Sequence, residues 1–285
     1  MIIESGGVTL HVEENGNRDS PVALLLHGIT SSTATWDWLI PHLAGNYRVL
    51  RLDFRGHGQS GRAPGTYHFP SYLADAIAVC EQAAGRPCVV IGHSLGGATA
   101  AALAQHRPDL VRGILLEDPA LASSDQLRGE LEGNALLDAF RLMRQMIPLL
   151  QESNAPVEIV ADTLAGSPGP SGAPLRDLLH ADAINAMATS MLQLDATVLD
   201  PVLDGSMITA FDPEATISVP ATVLAADPAS PDAVVRAGDV ERLARHSPHV
   251  EVRVVAGAGH LIHDSLAHRD TFRDAVLEFL TINAH

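Results

Sequence analysis

The feature that most constrains this chain is the pentapeptide Gly92-His93-Ser94-Leu95-Gly96, which joins two segments of opposite character. An aliphatic run, Val89–Ile91, precedes it, and an alanine-rich stretch, Leu95–Gln105, follows. A serine on a tight turn from strand to helix is held in a strained backbone conformation that exposes its hydroxyl. Glycines two residues to either side then follow from sterics, because a Cβ there would collide with the neighbouring strand and helix. The helix also turns its free N–H groups and positive dipole end toward the serine, which favours a developing oxyanion. A serine that merely caps a helix is the plain alternative, and the flanking pattern argues against it.

The surrounding sequence supplies the scaffold such a turn requires. Strand signals at Val8–Glu13, Val22–Leu26, Tyr47–Asp53, Cys88–Gly92 and Val111–Glu117 alternate with helical ones, the pattern of a mostly parallel sheet covered on both faces. Val8–Glu13 alternates apolar and polar residues and reads as an edge strand, whereas Val22–Leu26 is solidly aliphatic and reads as central. A helix is expected from about Ser71, as N-cap, to Ala84. Past residue 120 the pattern turns helical, with apolar spacing at Leu136, Phe140, Met143 and Ile147 and again from Ala183 to Leu199. Strands return at Ala221–Ala226 and Val250–Val255, and a helix from about Leu266 to Leu280 closes the chain. One α/β domain (1–122 and 206–285) with a helical lid inserted at 123–205 is therefore expected.

Charge limits the partners. Thirty-four acidic residues against 18 arginines and no lysine give a net charge of −16, which repels nucleic acids and anionic membranes. No apolar run approaches the roughly 18 residues of a membrane span, and no signal peptide is visible, so a cytoplasmic protein is expected. Cys80 and Cys88 are expected to be buried, reduced thiols, and no metal site is anticipated.

At neutral pH a serine needs a base. Of 14 histidines, His260 follows the small-residue loop Gly257-Ala258-Gly259 after the last expected strand, where an imidazole can reach across the sheet top. His263 lies close enough to be placed around it. The acid that orients the imidazole is left open among three residues. Asp227 is the first candidate, because the order Ser94, Asp227, His260 fits Ser…Asp…His. Glu117 is the alternative at the end of the preceding strand. Asp118 comes third, with capping before Pro119 as its nearer role. The oxyanion would be held by the N–H groups of Leu95 and of Ile29, the residue after His27-Gly28. His27 is read as a residue that holds this loop.

These motifs, together with Asp53-Phe54-Arg55-Gly56-His57-Gly58-Gln59-Ser60, resemble the α/β-hydrolase superfamily, and its esterase and lactonase branch in particular. The resemblance runs over nearly the whole chain. It implies an eight-stranded sheet with one antiparallel edge strand and a lid after the sixth strand. In most relatives the acid matches Asp227; in some it matches Glu117. The departure from G-x-x-D around Asp227, here Ala225-Ala226-Asp227-Pro228, keeps Glu117 in play. Serine at position 94 implies acyl transfer to water without a cofactor, from an apolar ester or lactone of small to medium size. The alternatives are carbon–carbon hydrolysis of ring-cleavage products and a ligand-binding receptor on the same scaffold. Gly28, Trp36, Met143 and Met187 are the expected pocket residues, each methionine being equally readable as helix packing. The few lid arginines (Arg128, Arg141, Arg144 and Arg176) do not favour a strongly anionic substrate. The assembly is expected to be a monomer or homodimer.

Overall fold

Solid β-branched and aliphatic runs form the centre of one sheet, because only a strand covered on both faces can bury every side chain. In the computed structural model, which describes residues 1–131 and 133–284, the strands are β1 (Ile2–Ser5), β2 (Val8–Asn15), β3 (Val22–Leu26), β4 (Arg48–Leu52), β5 (Cys88–His93), β6 (Val111–Glu117), β7 (Ala221–Ala225) and β8 (Glu251–Val254). They lie in the order β1-β2-β4-β3-β5-β6-β7-β8. β2 runs antiparallel to both neighbours, and every pairing from β4 to β8 is parallel. Val8–Asn15 is thus not the edge strand: Ile2–Ser5, a segment too short to give a pattern, pairs outside it.

Alternation along the strands builds two cores. Leu24, Leu26, Val90, Ile114 and Leu116 face one side. Ala23, Leu25, Val89, Ile91 and Leu115 face the other, against Trp36, Phe272 and Val276. The helices are α1 (Ile40–Leu43), α2 (Phe69–Val79), α3 (Leu95–His106), α4 (Ser124–Leu131), α5 (Ala135–Ser153), α6 (Val157–Gly166), α7 (Ala181–Gln193), α8 (Asp200–Leu203), α9 (Ala237–His246) and α10 (Arg269–Asn283). Ser71 is not an N-cap. Helix α2 starts two residues earlier, with His68 as its cap and Pro70 in the first turn, where a missing N–H costs nothing. After a π-helical turn at Cys80–Ala84, the chain leaves through Gly85 in the left-handed region (φ 68°). The buried thiols of Cys80 and Cys88 lie 3.8 Å apart, in hydrogen-bond contact and not joined by a disulfide.

Helices α4 to α8 all lie between β6 and β7 in the chain. Val160, Ala161, Leu179, Ile184 and Ala188 give them a small apolar cluster of their own. The side chain of Arg128 is outside the described residues. No described helix is long and apolar enough to cross a membrane.

Candidate active site

Ser94 sits between β5 and α3 with φ 52° and ψ −111°, a conformation that few non-glycine residues adopt. The turn is tight enough to exclude side chains at its glycines. A Cβ on Gly92 would come within 2.4 Å of the Gly96 backbone, and one on Gly96 within 2.2 Å of the Leu26 carbonyl oxygen. The Ser94 N–H donates to the Glu117 carbonyl (2.9 Å), which ties the turn to the end of β6.

The end of β6 also settles which acid meets the imidazole. Asp118 Oδ2 lies 2.7 Å from His260 Nδ1, and both residues are buried. Three backbone N–H groups also donate to this carboxylate: Ala226 (3.2 Å), Val234 (2.9 Å) and Val235 (3.1 Å). Because a carboxylate accepts, Nδ1 of His260 carries the hydrogen, and Nε2 keeps its lone pair for a proton. Asp118 has φ 38°, a turned backbone held by its N–H bond to the Leu224 carbonyl (2.8 Å).

The two acids ranked above it are engaged elsewhere. Asp227 is half-exposed, and its oxygens accept from the N–H groups of Ala229 (2.9 Å) and Gly257 (2.7 Å). It braces the loop ahead of His260 and does not touch the ring. Glu117, the last residue of β6, meets a different histidine from Asp118, whose turned backbone already lies beyond the strand. Its Oε1 accepts the His263 backbone N–H (2.8 Å), and the His263 Nδ1 lies 2.8–2.9 Å from its two oxygens. Burial alone would lower the pKa of His263, but Asp264 and Glu117 override it and hold the imidazole above its ordinary value. On the other side of that ring, Nε2 lies 3.0 Å from the Thr35 hydroxyl.

Two further residues position His260. His93 Nε2 donates to the His260 carbonyl at 3.1 Å, and the two rings lie 4.6 Å apart. Burial first, and then the neighbouring His260 and His263, keep the pKa of His93 well below its usual value. Asp232, which the sequence reading missed, accepts the His260 N–H at 3.2 Å. A Cβ on Gly259 would crowd this carboxylate at 3.1 Å. The only sequence signal for Asp232 was its position in the loop that follows β7.

Gly28 faces the nucleophile: a Cβ there would lie 3.6 Å from the Ser94 Cβ and 2.7 Å from His93 Nδ1. Ile29 follows it and is buried, as is Leu95, whose N–H opens α3 where no intrahelical partner exists. Trp36 does not wall a pocket. It is fully buried on the far core, its ring 4.8 Å from His263 and 5.9 Å from Phe272. Met143 packs half-buried against the main core and Met187 against the cluster within the inserted helices. Leu261, beside His260, joins that second cluster, and Ser190 of α7 bonds Ser32 of the oxyanion loop at 2.8 Å.

Among the described residues, one trio could share a metal ion. His93, Glu117 and His263 each offer an atom within 4.8 Å of the others. Glu117 and His263 already bond each other and His93 Nε2 bonds the His260 carbonyl, which fits a hydrogen-bonded network better than a metal centre.

Comparison with known proteins places the chain in a fold family. A family model described as alpha/beta hydrolase fold matches residues 21–265. A 2-(acetamidomethylene)succinate hydrolase of Mesorhizobium japonicum is 33% identical over 116 residues, 41% of this chain and 41% of that enzyme. The stretch matched is thus well under half the relative's length. Over nearly the full chain, the crystal structure of E-2-(acetamidomethylene)succinate hydrolase superposes with a TM-score of 0.72 at 21% identity, covering 99% and 98% of the two chains. An enol-lactonase from Burkholderia xenovorans LB400 does so with a TM-score of 0.68 at 20% identity, covering 99% and 100%.

Proposed function

Because the chain belongs to the α/β-hydrolase fold family, we propose that it is a serine hydrolase that cleaves a carboxylic ester or lactone through an acyl-enzyme. The contact between His260 Nδ1 and Asp118 Oδ2 carries the reading, since it leaves Nε2 without a hydrogen and so able to act as base for the strained, accessible Ser94. In the first step Ser94 Oγ attacks the acyl carbon and its proton passes to His260 Nε2. Asp118 stabilises the imidazolium that forms. The carbonyl oxygen becomes an oxyanion facing the N–H groups of Leu95 and Ile29. Collapse expels the alcohol, which takes the proton from His260, and water then releases the acid by the same route. Residues 123–205 are proposed as the lid over this site, with Met143 and Met187 shaping its apolar wall. The names of the structural relatives, an enol-lactonase among them, support a small acyl substrate.

A panel of p-nitrophenyl esters and lactones tests the reading. Turnover is expected for short to medium acyl chains, and Ser94→Ala is expected to lower kcat by about 10⁶. No turnover across the panel, together with no fluorophosphonate labelling at Ser94, would contradict it.

A further inference from the structure

The stretch Asp53–Ser60 is one of the most specific patterns in the sequence, yet none of its residues belongs to the triad. Its internal bonds make it rigid. Asp53 accepts the N–H groups of Thr33 (2.7 Å) and Gln59 (3.0 Å), and Arg55 pairs with the buried Asp75 at 2.6 Å. His57 is held inside this frame, fully buried, with Nε2 2.5 Å from the Ile29 carbonyl oxygen and Nδ1 2.9 Å from that of Arg55. Its surroundings include Asp53, Asp75, Tyr72 and His27. Burial, the largest influence, holds its pKa below the usual value against the pull of both carbonyls and both carboxylates. Carbonyl oxygens only accept, and the shorter of the two contacts is the one to Ile29, so Nε2 carries a hydrogen that donates to it.

His27, whose ring centre is 5.0 Å away, acts on the preceding peptide. Its Nε2 accepts the Phe54 N–H (3.2 Å), so its hydrogen is on Nδ1 and donates to the Gly28 carbonyl (2.7 Å). Burial lowers its pKa to about 3, which keeps it neutral at ordinary pH. The His27 carbonyl in turn accepts the Gly96 N–H at 3.1 Å. Three successive carbonyls of the loop are thus held. A planar trans peptide points the next residue's N–H opposite to its carbonyl. Fixing the Gly28 carbonyl therefore aims the Ile29 N–H, and fixing the Ile29 carbonyl stops that residue from rotating.

We propose that His57, acting with His27, is a positioning residue that locks the Ile29 peptide so that its N–H is aimed at the oxyanion before substrate arrives. This rests on the serine hydrolase reading above. It also gives the Asp53–Ser60 stretch its purpose: it is the frame that holds His57 against the oxyanion loop.

The test is the rate at which a fluorophosphonate labels Ser94 in the full-length protein, which needs no knowledge of the natural substrate. Ser94 Oγ bonds to phosphorus, fluoride leaves, the proton goes to His260, and the phosphoryl oxygen occupies the oxyanion site. Losing an oxyanion donor outright costs about 10²–10³ in rate, so mis-aiming one in His57→Phe is expected to slow labelling by about 10- to 100-fold. His57→Gln keeps an N–H that reaches Ile29 and is expected to stay within about threefold of wild type. Ester turnover should split the same way, with kcat lowered and KM nearly unchanged. If the phenylalanine variant does not fold, His57→Asn, whose amide is too short to reach Ile29, provides the slow arm. Labelling of either donor-less variant at the wild-type rate would overturn the proposal. So would a glutamine variant as slow as they are, with its melting temperature lowered alongside, since that is loss of packing. A wild type unlabelled at Ser94 would instead overturn the serine hydrolase reading, and this inference with it.

Discussion

Two histidine–carboxylate pairs flank the end of β6, built from neighbours in sequence. Asp118 meets His260 on one side, and Glu117 meets His263 on the other. Both contacts are short and buried, and both engage Nδ1. They differ at the second ring nitrogen. His260 engages its carboxylate through Nδ1 and has no side-chain partner at Nε2 among the described residues, whereas His263 Nε2 lies against the Thr35 hydroxyl (3.0 Å) and Asp264 (3.4 Å), its ring packed on Trp36. The carboxylates differ too: Asp118 gathers three backbone N–H groups from the β7 side, while Glu117 takes one, from His263 itself. On the proposed reading, the same chemical pair serves as a proton relay where one nitrogen is left free. Where both are occupied it serves as a strut between β6 and the 3-10 helix Thr33–Trp36.

Breaking the relay should have the largest effect of the substitutions at these two pairs. Asp118→Asn keeps the shape but selects the wrong tautomer of His260, and kcat for a p-nitrophenyl ester is expected to fall by about 10⁴. A loss under tenfold would dissolve the distinction between the pairs. Breaking the strut should act on stability. Glu117→Gln replaces a carboxylate that accepts from both the ring and the backbone of His263, and urea unfolding is expected to show a loss of about 2 kcal/mol with kcat within tenfold. The strut also sets a pH dependence. The folded-state pKa of His263 is raised above its unfolded value, so its stabilisation is complete below about 6.5 and is lost as pH rises through the raised value. In Glu117→Gln that loss should begin at lower pH, which unfolding midpoints across the pH range would show. The smallest effect belongs to Asp227→Asn. With its side chain bonded only to turn N–H groups, kcat is expected to stay within about twofold of wild type.

The fold was legible because its signals are local. The aliphatic run Val22–Leu26, the glycines around Ser94 and the loop before His260 each announce a backbone geometry, and Val22–Leu26 and Val111–Glu117 match the strands residue for residue. The acid was not legible, because its identity depends on distant partners. Nothing near Asp118 signals that the N–H groups of Ala226, Val234 and Val235 converge on it, or that its backbone turns to φ 38°. Glu117, ranked above Asp118 in the sequence, sits at the end of the same strand, and nothing local shows that it is taken by His263 instead. Trp36 misled for a similar reason: its nearness to the oxyanion loop in sequence does not reveal that it turns into the core shared with Phe272.

The low-field region of the proton NMR spectrum tests the pairing most directly, because a buried imidazole N–H bonded to a carboxylate resonates far from other protons. Wild type is expected to show two such signals, from the Nδ1 hydrogens of His260 and His263. Asp118→Asn should remove or strongly shift the first, Glu117→Gln the second, and Asp227→Asn neither. A spectrum in which Asp227→Asn abolishes a signal while Asp118→Asn leaves both in place would contradict the assignment of Asp118 to the triad.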